Sequence, residues 1–79
     1  MNNKMLVVVY SPLIDEEYDI FIPINKKVGT VKKIIIDSIN YFDDSTSHVL
    51  INKEDNKVID ENVYVKESGI KNGARLILI

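Results

Sequence analysis

Apolar residues follow two different spacings along the chain, and each spacing predicts a different element. Continuous apolar runs rich in Val, Ile and Tyr are typical of strands. These runs occupy residues 5–10, 18–22, 48–52 and 74–79. Pro12 and Pro23 follow the first two runs, and proline favours a strand end because it cannot donate to a sheet ladder. The first two strands therefore form a hairpin joined by residues 11–17, and residues 58–59 indicate a short fourth strand.

A helical spacing begins after Thr30, which is a typical N-cap residue. Residues three and four apart then form one stripe that is expected to pack onto the sheet. The stripe comprises Val31, Ile34, Ile35, Ser38, Ile39 and Phe42. Ile36 falls at its edge and is expected to be partly exposed. Because the acidic and polar residues 43–45 break the pattern, the helix is expected to end near Tyr41 or Phe42.

The order of these elements predicts an α+β fold. A helix packed across one face of a mixed sheet of four or five strands is the simplest arrangement of them. A chain of 79 residues is expected to form one domain, residues 1–79. The chain contains no Cys, so no disulfide supports its core.

Composition and charge exclude several kinds of partner. Ten basic and 12 acidic residues give a net charge of −2, which does not favour nucleic-acid binding. The apolar run after Lys4 is too short for a signal peptide, and no run is long enough to span a membrane. These features predict a cytoplasmic protein without direct membrane insertion.

The polar residues do not form a pattern typical of an enzyme. His48 is the sole histidine, and neighbouring residues such as Ser47 point to opposite faces of a strand, so a strand-end role is expected rather than a catalytic one. The acidic runs 15–17 and 43–44 lack a calcium-loop spacing and are interpreted as solvated charges. We therefore expect no enzymatic activity, and we assign no catalytic, metal-binding or cofactor-binding residue.

Four lysines flank the predicted helix start, and two interpretations of them stay open. They are Lys26, Lys27, Lys32 and Lys33. Cations are unfavourable at a helix N-terminus by a few tenths of a kcal/mol when exposed, so the favoured interpretation is tolerated surface charge. The alternative is a secondary basic patch that meets an acidic partner.

Three stretches resemble ubiquitin-like β-grasp proteins: "YDIFI…VGTVKKIII", "HVLI" and "VKESGIKNGARLILI". The resemblance implies that Val28 fills the core just before the helix. The ending "GIKNGARLILI" is similar to that of the YukD/EsaB-like group, small ubiquitin-fold proteins associated with bacterial type VII (WXG100-type) secretion systems. It implies a non-enzymatic accessory or regulatory protein that binds other proteins.

Two alternatives to a secretion role remain. One is a standalone ubiquitin-like adaptor of another pathway. The other is a sulfur carrier or protein modifier, but such relatives use a mobile terminal Gly-Gly. This chain ends on Leu78 and Ile79, so a modifier role is expected only if the native chain extends further.

The strand runs are apolar on both sides, although a helix covers one face of the sheet. The other face must then expose one of the two apolar sets, because successive side chains alternate between faces. The resemblance implies that the inward set is Leu6, Val8, Tyr10, Tyr18, Ile20, Ile22, Leu50, Leu76 and Leu78. The outward set, and hence the hypothetical protein-binding site, is Met5, Val7, Val9, Phe21, Ile51, Ile77 and Ile79. The expected partner is a second copy or a secretion-system component; high β-propensity alone is the alternative explanation of the pattern.

Overall fold

The computed structural model describes residues 3–39 and 47–79, which form five strands, one α-helix and one turn of 3-10 helix. The elements in chain order are β1 (Lys4–Ser11), β2 (Glu16–Pro23), α1 (Val28–Ile39), β3 (Leu50–Asn52), β4 (Lys57–Val58), the 3-10 turn (Val65–Glu67) and β5 (Ala74–Leu78). The predicted α+β fold is confirmed. The predicted helix end, together with Phe42 and residues 43–45, lies outside the described residues.

The first two strands form a longer hairpin than the sequence predicts. They pair without a bulge from Lys4–Pro23 to Ser11–Glu16, so the loop contains residues 12–15 alone. Asp15 closes this loop with a φ of 52°, a left-handed conformation that Asp tolerates better than most residues. The acidic residues assigned to the loop extend β2 instead, because β2 lies at a sheet edge where charged side chains stay solvated.

The sheet is mixed, with strand order β2-β1-β5-β3-β4. Strands β1 and β5 run parallel, and the other neighbouring pairs run antiparallel. The ladder between β3 and β5 continues past the strand ends, since Val49 and Ile79 exchange backbone hydrogen bonds of 2.9 and 3.1 Å. Strand β5 is therefore central, with β1 and β3 on either side of it.

The helix begins two residues before the predicted cap. Thr30 is the third residue of α1 and is exposed. The first helical N–H groups are satisfied by the backbone of a neighbouring loop: Val28 donates to the Val63 carbonyl at 2.9 Å, and Gly29 donates to the Glu61 carbonyl at 3.0 Å. Because this loop supplies acceptors for the first turn, no capping side chain is needed at that point.

The face of the helix that packs on the sheet is rotated from the predicted one. Its buried residues are Val28, Val31, Lys32, Ile35 and Ile36. Burial of Val28 and Ile35 confirms those two predictions, and Ile39 packs against the core as expected. The predictions for Ile34 and Ile36 are wrong, since Ile34 is 39% exposed and Ile36 is 2% exposed.

A buried lysine explains the rotation. Lys32 is 4% exposed, and its ammonium donates to the His48 carbonyl and to Oε2 of Glu61, each at 2.8 Å. With the charge satisfied at its tip, the aliphatic stem packs like an apolar side chain. The buried stripe is therefore centred nearer Lys32 and Ile36 than a pattern that treats every lysine as surface would place it.

Candidate protein-binding surface

The side of the sheet away from α1, here called the open face, is uncovered by any described residue. Two transverse rows of cross-strand neighbours cross it. The apolar row runs from β2 to β4 through Glu17, Tyr10, Ile77, Ile51 and Val58. The charged row, one step along the strands, contains Asp19, Val8, Arg75 and Lys53. Phe21 and Leu6 pair beyond the charged row, and Val49 and Ile79 pair beyond the apolar row.

Four of the seven predicted outward residues lie on this face. Ile51 and Ile77 are half-buried neighbours in the apolar row. Phe21 is 63% exposed and Ile79 is 45% exposed. Val58, which the prediction omitted, adds a side chain that is 59% exposed. The open face therefore carries an apolar surface, although its composition differs from the predicted one.

The other three predicted outward residues lie on the core side, so this part of the prediction is wrong. Val7 and Val9 are 0% exposed, and Met5 packs against the core. The register requires this orientation, since Val9 lies beside buried Leu76 and Val7 beside Ile20. A shift of one residue moves every side chain of a strand to the opposite face.

The residues of β1 that do lie on the open face are Leu6, Val8 and Tyr10, which were predicted to point inward. One signal in the sequence indicated this orientation. Lys4 is exposed and shares their alternation, and a charged residue is expected on the solvent side. At the other end of the strand, Ser11 is fully buried, and its hydroxyl has no hydrogen-bond partner among the described residues.

Two polar contacts cross the open face near its acidic edge. A guanidinium nitrogen of Arg75 in β5 lies 3.1 Å from Oε2 of Glu17 in β2, so this exposed ion pair spans the intervening strand β1. The Tyr10 hydroxyl donates to Oδ1 of Asp15 at 2.8 Å. This hydrogen bond, with smaller contributions from desolvation and the negative charge of Asp15, raises the pKa of Tyr10 above its ordinary value.

The predicted basic patch does not form as a set of four lysines. Lys26, Lys27 and Lys33 are exposed, but Lys32 points into the core and is neutralised by Glu61. The remaining three could still meet an acidic partner, and that role stays a prediction.

The described residues show no arrangement suited to catalysis by the sequence candidates. The His48 carbonyl accepts from Lys32, which holds this segment against the helix. Within residues 3–39 and 47–79, no three His, Cys, Asp or Glu side chains gather into a potential metal site. No helix in these two ranges is long and apolar enough to cross a lipid bilayer.

Comparisons with known proteins bear on the fold. No protein-family model matches the chain, and no curated protein matches it in sequence. Solved structures do match over almost the whole chain. An N-terminal ubiquitin-like domain is 20% identical with a TM-score of 0.81, and the match covers 100% of this chain and 76% of that one. The chain has a ubiquitin-like fold.

Two further ubiquitin-like structures match at similar levels. The ubiquitin of Caldiarchaeum subterraneum is 14% identical with a TM-score of 0.78, over 96% of this chain and 91% of that one. A ubiquitin-like domain from Arabidopsis thaliana is 16% identical with a TM-score of 0.77, over 99% and 78% of the two chains. At these identities the likeness concerns the fold, so the function must be argued from the open face.

Proposed function

We propose that this ubiquitin-like chain is a non-enzymatic protein-binding module and that its open face is the binding surface. The observation that carries the proposal is the apolar row, in which Tyr10, Ile77, Ile51 and Val58 lie side by side across four strands. Phe21 and Ile79 enlarge the apolar surface beyond that row. A contiguous apolar surface bordered by charged residues is typical of protein interaction sites.

The finer proposal is an accessory or regulatory role in a bacterial type VII secretion system, carried out in the cytoplasm. Its support is the similarity of the ending "GIKNGARLILI" to the YukD/EsaB-like group. In the structure this ending contains a turn and β5. Gly73 adopts a φ of 84° and donates to the Leu6 carbonyl, and β5 then supplies Arg75 and Ile77 to the open face.

A paired substitution on the open face tests the proposal. Phe21→Asp combined with Ile77→Asp places two charges on the surface without entering the core. The matched control is Leu13→Asp combined with Ile34→Asp, which charges two exposed apolar residues outside both rows. Wild type and both variants are immobilised, exposed to lysate of the source cells, and compared by quantitative mass spectrometry after circular dichroism has confirmed folding.

We expect the wild type and the control to retain a secretion-system component that the open-face variant loses. Loss of a protein from another pathway instead would support the adaptor alternative. Equal capture by all three proteins would exclude the open face, and Lys26, Lys27 and Lys33 would become the next candidate surface.

A sulfur-carrier or modifier role is a second candidate, since neighbours with this fold include a ubiquitin. Activation of that kind adenylates a terminal carboxylate. We expect the chain ending at Ile79 to support no exchange of pyrophosphate into ATP with a ubiquitin-like activating enzyme. Exchange that depends on the chain would favour the modifier role over the binding module.

A further inference from the structure

Two opposite charges in the charged row have no partner within the chain. The Asp19 carboxylate and the Lys53 ammonium make no hydrogen bond or ion pair with a described residue. Asp19 lies on β2 beside Val8, and Lys53 follows β3 and donates its backbone N–H to the Arg75 carbonyl at 3.0 Å. Three strand spacings separate them, about 14 Å, so they cannot pair with each other.

The positions of these charges are symmetric within the sheet. The row crosses β2, β1, β5 and β3 in order, and so the line between β1 and β5 is its midpoint. Asp19 lies one and a half strand spacings to one side of this line, and Lys53 the same distance to the other. A two-fold axis along that line would superimpose each position on the position of the opposite charge in a second copy.

We propose that the open face binds a second copy of this chain, stacked face to face about a two-fold axis parallel to β1 and β5. The inference rests on the proposed function, because it names the occupant of the same surface. Asp19 of each copy then faces Lys53 of the other, which gives two equivalent ion pairs. Such an interface uses the same surface on both copies, as two-fold dimers do.

The residues between the charges fit the same arrangement. Across the axis, Val8 faces the aliphatic stem of Arg75 from the second copy, and Tyr10 faces Ile77. The guanidinium of Arg75 can remain on Glu17 of its own chain, since that ion pair is exposed at the surface. The two sheets would stack with nearly aligned strands, which is a favoured packing of twisted sheets.

Charge also selects the direction of the axis. A two-fold axis perpendicular to the strands, between the two rows, would place Glu17 of one copy against Asp19 of the other. Two such contacts would bring like charges together at both edges of the interface. The axis parallel to the strands avoids this repulsion.

A charge exchange between two variants tests the pairing. Asp19→Lys brings two lysines together at each end of the interface, and Lys53→Asp brings two aspartates together. Each variant alone should dimerise about tenfold more weakly than the wild type, since two exposed ion pairs are replaced by repulsion. An equimolar mixture should recover a heterodimer, because the introduced lysine of one variant then faces the introduced aspartate of the other. The native pair of Asp19 and Lys53 forms at the opposite end.

Sedimentation velocity over a concentration series reaching about 1 mM measures this equilibrium, and added sodium chloride should weaken it. The matched controls are Asp37→Lys and Lys33→Asp, which make the same charge changes at exposed helix positions on the other side of the sheet. We expect both controls to associate like the wild type. The double variant Asp19→Lys with Lys53→Asp should also dimerise like the wild type.

The proposal is overturned if the wild type stays monomeric throughout the series, or if the mixture associates no better than the separate variants. Such a result leaves the binding-module proposal intact if the Phe21→Asp, Ile77→Asp variant still loses a captured protein. Failure of the binding module itself would appear as unchanged capture and unchanged self-association in that same variant.

Discussion

The ammonium of Lys32 lies 2.8 Å from Oε2 of Glu61, and the same nitrogen donates to the His48 carbonyl at 2.8 Å. The two side chains differ in burial, at 5% exposed for Lys32 and 37% for Glu61. The contact joins the helix to two segments distant in sequence. Because the Glu61 carbonyl also accepts from Gly29, the first helical turn and this loop are held at two points.

The stem of Lys32 is expected to contribute more to stability than its charge. Lys32→Met keeps most of the stem and should lower the free energy of unfolding by less than about 1.5 kcal/mol, since an apolar replacement of a buried ion pair is often tolerated. Lys32→Ala removes the stem and should cost about 2–4 kcal/mol. Urea unfolding measures both. The matched control, exposed Lys33→Ala, should change stability by no more than about 0.5 kcal/mol. Equal losses for Met and Ala at residue 32 would mean that the ion pair is the larger contribution.

Three consecutive isoleucines test the observed face of the helix. Ile35→Ala and Ile36→Ala should each cost about 2–5 kcal/mol, because both side chains are buried. Ile34→Ala should cost less than about 1.5 kcal/mol, since its side chain is 39% exposed and leaves little cavity. The three variants are compared by urea unfolding under one set of conditions. A larger loss at Ile34 than at Ile36 would restore the stripe predicted from the sequence.

The order and type of the elements followed from local sequence, but the facing of two of them did not. In β2 and β5 the alternation is marked by Asp19 and Arg75, whose charges must face solvent, and the predicted inward residues of both strands were right. Strand β1 has one such marker, Lys4 at its end. The helix face was missed because the lysine at residue 32 is buried by a contact with Glu61, 29 residues away.

The same limit applies to the candidate site. An apolar open face was predictable because the strands are apolar on both sides and one helix covers one side. The partnership of Arg75 with Glu17 was not, because it depends on which strands lie on either side of β1. The pairing of Asp15 with Tyr10 depends on the short loop, which the sequence predicted to be longer.

The tyrosines should ionise in a defined order. The hydrogen bond to Asp15 stabilises the neutral Tyr10 side chain and raises its pKa. A raised pKa in the folded state adds stability that is fully present below the pKa of the unfolded state and is lost as pH rises through the folded value. In an NMR titration on tyrosine ring carbons, Asp15→Asn should lower the Tyr10 pKa toward its ordinary value. An unchanged Tyr10 titration in this variant would contradict the assigned cause.

The orientation of β1 is tested by charging two successive valines. Val9 is fully buried beside Leu76, so Val9→Asp must place a carboxylate in the core or expel it. The loss should exceed about 4 kcal/mol, a large part of the 5–15 kcal/mol that stabilises a typical domain. Val8 lies on the open face between Asp19 and Arg75, so Val8→Asp should leave the fold intact by circular dichroism and abolish binding through that face. Thermal unfolding of the two variants measures the difference, and a folded Val9→Asp beside an unfolded Val8→Asp would show that Leu6, Val8 and Tyr10 face the helix after all.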